Sequence, residues 1–323
     1  MVQLNRVREL VAVARANVAE LANDSLCREA ATAEWFDKLA EYPPESPQPY
    51  LPNLLPHLSR LTVDELRVFD DDVKAVRAAS PSAERFGGFI STGTRVNHRS
   101  TRQWFAGRAE LGVLATLVAN VEPDRLRIEP KLPNRKVADA AVRVGSRWIW
   151  VEITALTESD AEYKRQRPDV NIRVSYGDPY LDARRMYRKA FDKIAGTAET
   201  MRGQLHPTEP SVLVIADGST DIGFASPGIE WAVAQMLHPD QREGRSDASL
   251  EKWVAHDYPD RPGEASDRLA HLSAISLVGY DLQPIRTEPN DAPDDGHRLT
   301  GDELEELNAL LRVDRPWATP ANP

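Results

Sequence analysis

Cysteine is almost absent from this sequence, since Cys27 is the only one among 323 residues. A single thiol can close no disulfide within the chain and cannot build a cysteine metal cage, so we expect a reducing, cytoplasmic setting. No run of about 18 apolar residues is present, and residues 1–21 form an amphipathic pattern that contains acids, unlike a secretion signal. We therefore expect neither a membrane partner nor export.

Histidine motifs and an excess of positive charge are also lacking. The seven histidines include no H-x-x-x-H or H-E-x-x-H arrangement, so we do not expect a histidine zinc site. The net charge of −10 argues against a nucleic-acid partner, but residues 96–205 alone hold 20 Lys+Arg against 14 Asp+Glu, a net +6. A basic centre suits local binding of a polyanion, although uneven charge on a solvated surface gives the same pattern.

Residues 1–95 are predicted to form a helical N-terminal region, which is the expected surface for protein partners. Apolar residues recur there at three- and four-residue spacing. Thr62 and Glu65 form a capping box that starts a second helical stretch over 62–79. The proline-rich segment 42–56 predicts a connector between the two stretches.

The central part of the chain alternates between helical and strand patterns, which predicts an α/β fold. The glycine-containing segment 87–100, which precedes this central part, is predicted to be a loop. The expected elements are a helix over 101–121, strands over 126–130, 137–144 and 147–156, a helix over 181–205, a strand over 211–217, a helix over 228–237 and a strand over 271–282.

One segment, KVADAAVRVGSRWIWVEITAL at 136–156, places an acid in each of two apolar strands. Gly145-Ser146 suits a two-residue type II′ hairpin turn, because glycine fits its first position. Val144 then pairs with Arg147, and counting back along both strands brings Asp139 opposite Glu152. Their Cβ atoms are expected to lie roughly 4.5–5.5 Å apart on one face of the sheet.

Two ionised carboxylates so placed repel each other unless one is protonated or a cation lies between them. A hard divalent cation such as Mg²⁺ suits carboxylate oxygens. Two other interpretations remain open: the acids could be solvated at an exposed sheet edge, or each could pair with an arginine such as Arg143. The apolar run around Trp148 and Trp150 favours a strand that is buried on both faces.

The order α-β-β-β-α-β over residues 101–217, with an acid in the first helix, Asp139 in the second strand and Glu152 in the third, resembles the restriction-endonuclease-like, or PD-(D/E)xK, phosphodiesterase superfamily. The resemblance implies a restriction-endonuclease-like core, which we place at 96–285, with a mixed sheet flanked by helices. An acidic, proline-rich tail with one short helix follows over 286–323. The resemblance also implies that Asp139 and Glu152 bind Mg²⁺ or Mn²⁺, with Glu110 as an accessory ligand.

The sequence departs from the pattern of that superfamily at the catalytic lysine, because Thr154 stands in its place. A hydroxyl carries no charge, so another cation has to stabilise negative charge on the attacked phosphate. Lys189 and Lys193 lie on the helix that follows the Glu152 strand, and we favour Lys193. Ala138 also replaces the proline that usually precedes the aspartate.

We therefore expect a Mg²⁺-dependent nuclease-like protein that hydrolyses DNA, with RNA as the other candidate substrate. By analogy of fold alone, it would serve prokaryotic defence against foreign DNA. The alternative is a catalytically inactive protein of the same fold that binds nucleic acid or acts as a scaffolding subunit of a larger complex. A third interpretation is a protein-interaction module whose acidic C-terminal region contacts a basic partner.

Overall fold

The three-dimensional structure is a computed structural model of the 323-residue chain. It describes residues 2–41, 51–80, 84–95, 98–156, 179–195, 203–217, 227–238, 268–278, 284–312, 315 and 317. Residues 157–178, which follow the Glu152 strand, and residues 239–267 lie outside the described residues.

Six strands form one mixed sheet. They are β1 (Leu126–Ile128), β2 (Ala140–Val144), β3 (Arg147–Leu156), β4 (Ser211–Asp217), β5 (Ala274–Val278) and β6 (Pro284–Pro289). Their order across the sheet follows their order along the chain. β1, β2 and β3 are antiparallel neighbours, β3, β4 and β5 run parallel, and β6 returns antiparallel. With helices flanking the sheet, the structure is of the α/β class, as the sequence predicts.

Helices precede, interrupt and follow the strands. They are α1 (Val2–Ala19), α2 (Leu26–Ala30), α3 (Ala33–Ala40), α4 (Leu54–Arg60), α5 (Val63–Ala79), α6 (Glu84–Thr92), α7 (His98–Asn120), α8 (Pro179–Ala195), α9 (Pro227–Leu237) and α10 (Gly301–Leu310). The expected capping box is present at the start of α5, where the Thr62 hydroxyl accepts from the Glu65 N–H and the Glu65 carboxylate accepts from the Thr62 N–H. Among the described residues, no helix combines the length and the apolar character needed to cross a membrane.

Two segments near α4 and α6 differ from the sequence pattern. Residues 42–50 of the proline-rich segment lie outside the described residues, but its last residues begin α4, whose three leucines are fully buried. The segment 87–100, which was expected to be a loop, contains the end of α6 and the start of α7. Phe89 and Ile90 are buried there, and that burial outweighs the low helix propensity of the adjacent glycines.

The sheet separates two groups of buried apolar residues. Val151 and Val214 belong to the group that includes α7 and the N-terminal helices, whereas Leu213 and Ile275 belong to the group formed with α8 and α9. Because side chains alternate along a strand, odd-numbered residues of β3 face α7 and even-numbered ones face the opposite side. Glu152 therefore projects from the face that α8 covers.

The β2–β3 turn offers a direct test of the strand register. Gly145 has φ +55°, where a residue with a Cβ is strained, so Gly145→Ala is expected to lower the free energy of unfolding by about 1–2 kcal/mol. Among the described residues, no atom lies within 4 Å of the position a Cβ would take, so the loss would report backbone conformation and not a clash. Gly145→Asn should cost less, because asparagine tolerates positive φ better. Urea unfolding measures both variants, and full stability of Gly145→Ala would contradict the turn.

Candidate functional site

The register of the β2–β3 hairpin brings the two acids of the sequence motif together. Val144 pairs with Arg147 and Ala140 pairs with Val151, so the next position places Asp139 opposite Glu152. Gly145 has a positive φ and Ser146 does not, which matches a type II′ turn. The hairpin therefore has the register expected from its sequence.

Both acids are deeply buried, Asp139 at 4% exposure and Glu152 at 1%. Asp139 lies one residue before β2 begins, and its Oδ2 atom accepts a hydrogen bond of 2.7 Å from the N–H of Ile153. The Asp139 carboxylate thus serves as the hydrogen-bond acceptor for the Ile153 N–H of β3, which lies beyond the residues that pair with β2. This contact fixes the orientation of the Asp139 side chain relative to Glu152.

The cation beside the two acids is Lys193, from the last turn of α8. Its Nζ donates to Glu152 Oε2 at 3.1 Å and lies 3.6 Å from Asp139 Oδ2. Arg143, which the sequence offered as an alternative partner for Asp139, forms an ion pair with Asp124 at 2.8 Å. The acids are therefore neither solvated at a sheet edge nor paired with Arg143.

The buried face of α8 explains how the helix places that lysine. It carries Tyr187, Ala190, Phe191 and Ile194. All four are buried in the apolar group on the α8 face of the sheet. Their three- and four-residue spacing defines the buried stripe of the helix, and position 193 lies at its border. The aliphatic stem of Lys193 can then pack beside the stripe while its ammonium reaches the acids.

The charges of the group are strongly coupled. Burial raises the pKa of Glu152 well above its usual range, and the Asp139 charge raises it further, against the opposing effect of Lys193. Burial alone would lower the pKa of Lys193, but the nearby charges of Asp139 and Glu152 outweigh it and leave this pKa raised. Both directions have one physical cause, which is that a single ammonium stands against buried carboxylates: the acids favour the charged form of Lys193, while burial and the charge of Asp139 favour the protonated form of Glu152.

Glu110 adds a third acid to the surroundings of this group. It lies on α7, is half-buried, and its charge raises the pKa of both Glu152 and Lys193. Glu152 Oε1, by contrast, is buried and has no hydrogen-bond partner among the described residues. A buried carboxylate oxygen without a partner is energetically costly, and it is a ready ligand for a cation.

Thr154 occupies the β3 position two residues beyond Glu152 and is half-buried. Strand alternation puts it on the same face as Glu152, and its backbone pairs with Ile215 of β4. Gln204 donates its side-chain amide to Val137 O at 3.4 Å, while its backbone N–H donates to Lys193 O at 2.8 Å. It joins the residues after α8 to the segment that carries Asp139.

The structure also brings together three residues that the sequence analysis did not single out, His271, Asp294 and His297. His271 precedes β5, and the other two follow β6. No ligand-spacing motif links residues 271 and 297, so their meeting depends on the pairing of β5 with β6 and on the folding of the following segment.

Comparison of the chain with protein-family models, with curated proteins and with solved structures found no match.

The raised pKa of Glu152 predicts a pH-dependent difference between wild type and Glu152→Gln. Since the folded state holds this proton more tightly than the unfolded state, wild-type stability falls as pH rises from the ordinary value of 4.5 towards the higher pKa of the folded protein. Glutamine does not titrate, so Glu152→Gln should gain stability relative to wild type over that interval. Melting temperatures measured across the pH range test this.

The matched control for that comparison is Glu122→Gln, which removes one acid from an exposed position. It separates the effect of burial from the loss of a negative charge. A stability difference between Glu152→Gln and wild type that does not change with pH would show that Glu152 is not held in its protonated form by burial.

Proposed function

We propose that this protein is a metal-dependent nuclease that hydrolyses DNA phosphodiester bonds, with Asp139 and Glu152 as ligands of Mg²⁺ or Mn²⁺ and Glu110 as an accessory ligand. The observation that carries the proposal is the contact of Lys193 with the buried acids Asp139 and Glu152, together with the charge of Glu110, which acts on both Glu152 and Lys193. The order α7, β1, β2, β3, α8, β4 supports a restriction-endonuclease-like core, because the acids occupy the positions in that order where the superfamily holds its metal ligands.

The residues present fit a hard divalent cation. When all four groups are ionised, the three carboxylates and the Lys193 ammonium sum to a net charge of −2. The buried Oε1 atom of Glu152 has no hydrogen-bond partner among the described residues. All the potential metal ligands in the group are carboxylate oxygens, the type that Mg²⁺ and Mn²⁺ prefer. A cation bound there would supply Lewis-acid stabilisation of the phosphate and lower the pKa of a bound water.

Lys193 is the residue we propose for stabilising the attacked phosphate. Its side chain is 21% exposed, against 5% for Asp139 and 1% for Glu152, so it is the most solvent-accessible of the three side chains. A positioned positive charge that meets the negative charge developing on phosphate oxygens is the kind of interaction that accelerates phosphodiester hydrolysis. Thr154, on the same face, can donate a hydrogen bond but contributes no charge.

The charge distribution supports a polyanionic substrate. The net +6 of residues 96–205 contrasts with the net −10 of the whole chain, so the positive charge is concentrated in the region that contains the site. A basic region attracts the phosphate backbone of nucleic acid irrespective of its sequence. A role in prokaryotic defence against foreign DNA extends this proposal by analogy of fold.

A catalytically inactive, nucleic-acid-binding or scaffolding subunit of the same fold is the second candidate. It is favoured by Thr154 in the position of the superfamily's lysine and by the direct contact of Lys193 with Glu152. In such a protein the lysine would act as a permanent counter-ion that stabilises the buried acids. Metal binding distinguishes the two candidates, because the nuclease requires a divalent cation at the acids, whereas the inactive subunit balances them with Lys193 and needs no metal.

Wild-type protein is expected to bind Mg²⁺ or Mn²⁺ and to cleave plasmid DNA, whereas Asp139→Asn and Glu152→Gln should lose both properties. Asparagine at 139 can still accept the hydrogen bond from Ile153 N–H, and glutamine at 152 keeps the volume of the side chain, so each variant removes charge with little change of shape. Titration calorimetry measures metal binding, and agarose gels measure cleavage.

Asp124→Asn is the matched control for those variants, because Asp124 is an exposed acid near the same sheet that pairs with Arg143. It should bind metal and cleave DNA as wild type does. Absence of both metal binding and cleavage of DNA or RNA would favour the inactive subunit, and undiminished cleavage by Asp139→Asn would eliminate the proposed site.

Lys193→Met is expected to lower the cleavage rate by roughly 100-fold or more, since it removes a charge that stabilises the transition state. The same change should tighten metal binding, because the ammonium no longer competes with the cation for Glu152 and Asp139. Arg188→Met, at an exposed position on the same helix, is the control for loss of a basic residue. Weaker metal binding by Lys193→Met would instead indicate that the lysine only maintains the structure of the site.

A further inference from the structure

Three side chains with metal-ligand chemistry meet at the edge of the sheet where β4 and β5 begin. One potential ligand atom each from His271, Asp294 and His297 lies within 4.8 Å of the other two. The Nε2 atom of His271 is 3.6 Å from Asp294 Oδ2, and the rings of the two histidines lie 5.0 Å apart with an angle of 24° between their planes. These distances are short enough for one cation to contact all three residues after small side-chain rotations.

His297 has a buried ring nitrogen that makes no hydrogen bond to a described residue. Its side chain is 2% exposed, and its Nε2 lies 3.2 Å from Pro207 O. A carbonyl oxygen can only accept, so Nε2 carries the hydrogen and Nδ1 carries the lone pair. Nδ1 is buried without a hydrogen-bond partner among the described residues. A histidine that donates one N–H to a backbone carbonyl and offers its other nitrogen is oriented as metal-bound histidines are.

The backbone around the three residues is held in place by hydrogen bonds. The N–H of Asp294 donates to Ala270 O at 2.9 Å, which ties the Asp294 segment to the residue before His271. The N–H of His297 donates to Asp294 O at 2.8 Å and closes a tight turn between these two residues. The site therefore requires little ordering of the chain when a ligand arrives.

Asn290 and Gly296 fix the outer ends of this arrangement. The Asn290 side-chain amide donates to Leu272 O at 2.7 Å and to Leu269 O at 2.9 Å, on either side of His271. At Gly296, a Cβ would lie 2.8 Å from Thr208 O, so only glycine lets the turn approach this segment so closely. That approach sets His297 against Pro207.

We propose that His271, Asp294 and His297 form a binding site for Zn²⁺, with water completing the coordination. Two imidazoles and one carboxylate are a ligand set typical of zinc and related first-row transition metals, whereas Mg²⁺ selects sites of oxygen ligands alone. This site and the acidic group around Glu152 thus differ in the cation that each would select.

His206 interacts electrostatically with His297, but its Nδ1 atom is already engaged in hydrogen bonds. Its Nδ1 accepts from the N–H of Glu209 at 3.0 Å and from the N–H of Thr208 at 3.3 Å, and its ring stacks on Trp150. Its Nε2 lies 3.7 Å from Glu209 Oε2. The described residues therefore supply three ligands and leave coordination positions open to water or a small anion.

The zinc site is separate from the site of the proposed nuclease. Glu152 pairs with Leu213 and Leu213 pairs with Ile275, whereas His271 precedes Ile275 by four residues along the chain. With about 3.3 Å per residue and about 4.8 Å between strands, the two sites are on the order of 15 Å apart. The zinc would bind near the start of β5 and would link the segment after β6 to the residues that precede β5.

The test uses the full-length protein, stripped of metal with a chelator and then titrated with Zn²⁺ alone. One zinc per chain is expected by elemental analysis after dialysis, together with a rise in melting temperature. His271→Gln and Asp294→Asn, both at positions with solvent access, should lose the bound zinc and the rise in melting temperature. Circular dichroism spectra of the metal-free proteins establish that these variants fold as wild type does.

Two matched controls accompany these variants. Asp295→Asn changes the exposed neighbour of Asp294, and His238→Gln removes a histidine that also contacts a carboxylate, Asp291, at 2.6 Å. Both should keep one zinc. The Asp139→Asn, Glu152→Gln double variant should also keep it, and excess Mg²⁺ should not displace it.

The proposal is overturned if wild type binds no stoichiometric zinc, or if His271→Gln and Asp294→Asn retain it. It is equally overturned if the double variant at Asp139 and Glu152 loses the zinc, because the metal then lies in the acidic group. Since the expected zinc binding is independent of DNA cleavage, failure of the nuclease proposal would leave this result unchanged, and the reverse also holds.

Discussion

The placement of two buried carboxylates against a single ammonium is the constraint on which the rest of the site depends. Asp139 and Glu152 face each other across two strands, at exposures of 4% and 1%, and the cation that separates them, Lys193, comes from a helix on the same side of the sheet. Burial of ionised groups opposes folding unless charge and hydrogen bonding compensate for lost hydration. The pairing of β2 with β3 and the position of α8 must therefore both be correct before the acids can be buried.

That compensation is incomplete in the described structure. Lys193 contacts both acids, Ile153 N–H donates to Asp139, and yet Glu152 Oε1 has no described partner. A well-packed hydrophobic pair of similar volume would often be at least as stable at such a position. Local violations of the rules that stabilise a fold are concentrated at functional sites, which is why this group, and not a more exposed cluster of acids, carries the proposed activity.

The sequence allowed the register of this site to be predicted because the determinants are local. A two-residue turn leaves few pairings open, so the Gly145-Ser146 turn determines which residue lies opposite Glu152. The buried strand β4 and the capped start of α5 were predictable for the same reason, since the pattern and its consequence lie within one segment. The sequence restricted the search for the replacement lysine to one helix, the one that carries Lys193. The contact of Lys193 with Glu152 depends on the rotation of α8 against the sheet.

Other features are determined by contacts that no local pattern contains. The helix α6 forms across two glycines because Phe89 and Ile90 pack into the core, and β6 forms between two prolines because it pairs with β5 along one side. The meeting of His271 with His297 results from that same β5–β6 pairing together with the turn at Gly296. In each case the free energy comes from tertiary packing, which overrides the weak preferences of the residues involved.

The origin of the positive charge distinguishes this site from one that carries its lysine on the strand. A lysine at position 154 would move with β3 and would keep a fixed distance from Glu152, because both would belong to one continuous backbone. Lys193 belongs to α8, whose contact with the sheet is made by side chains such as Phe191 and Ile194. A shift of the helix therefore changes the distance from the ammonium to both acids at once, so the charge balance of the site is coupled to the packing of α8.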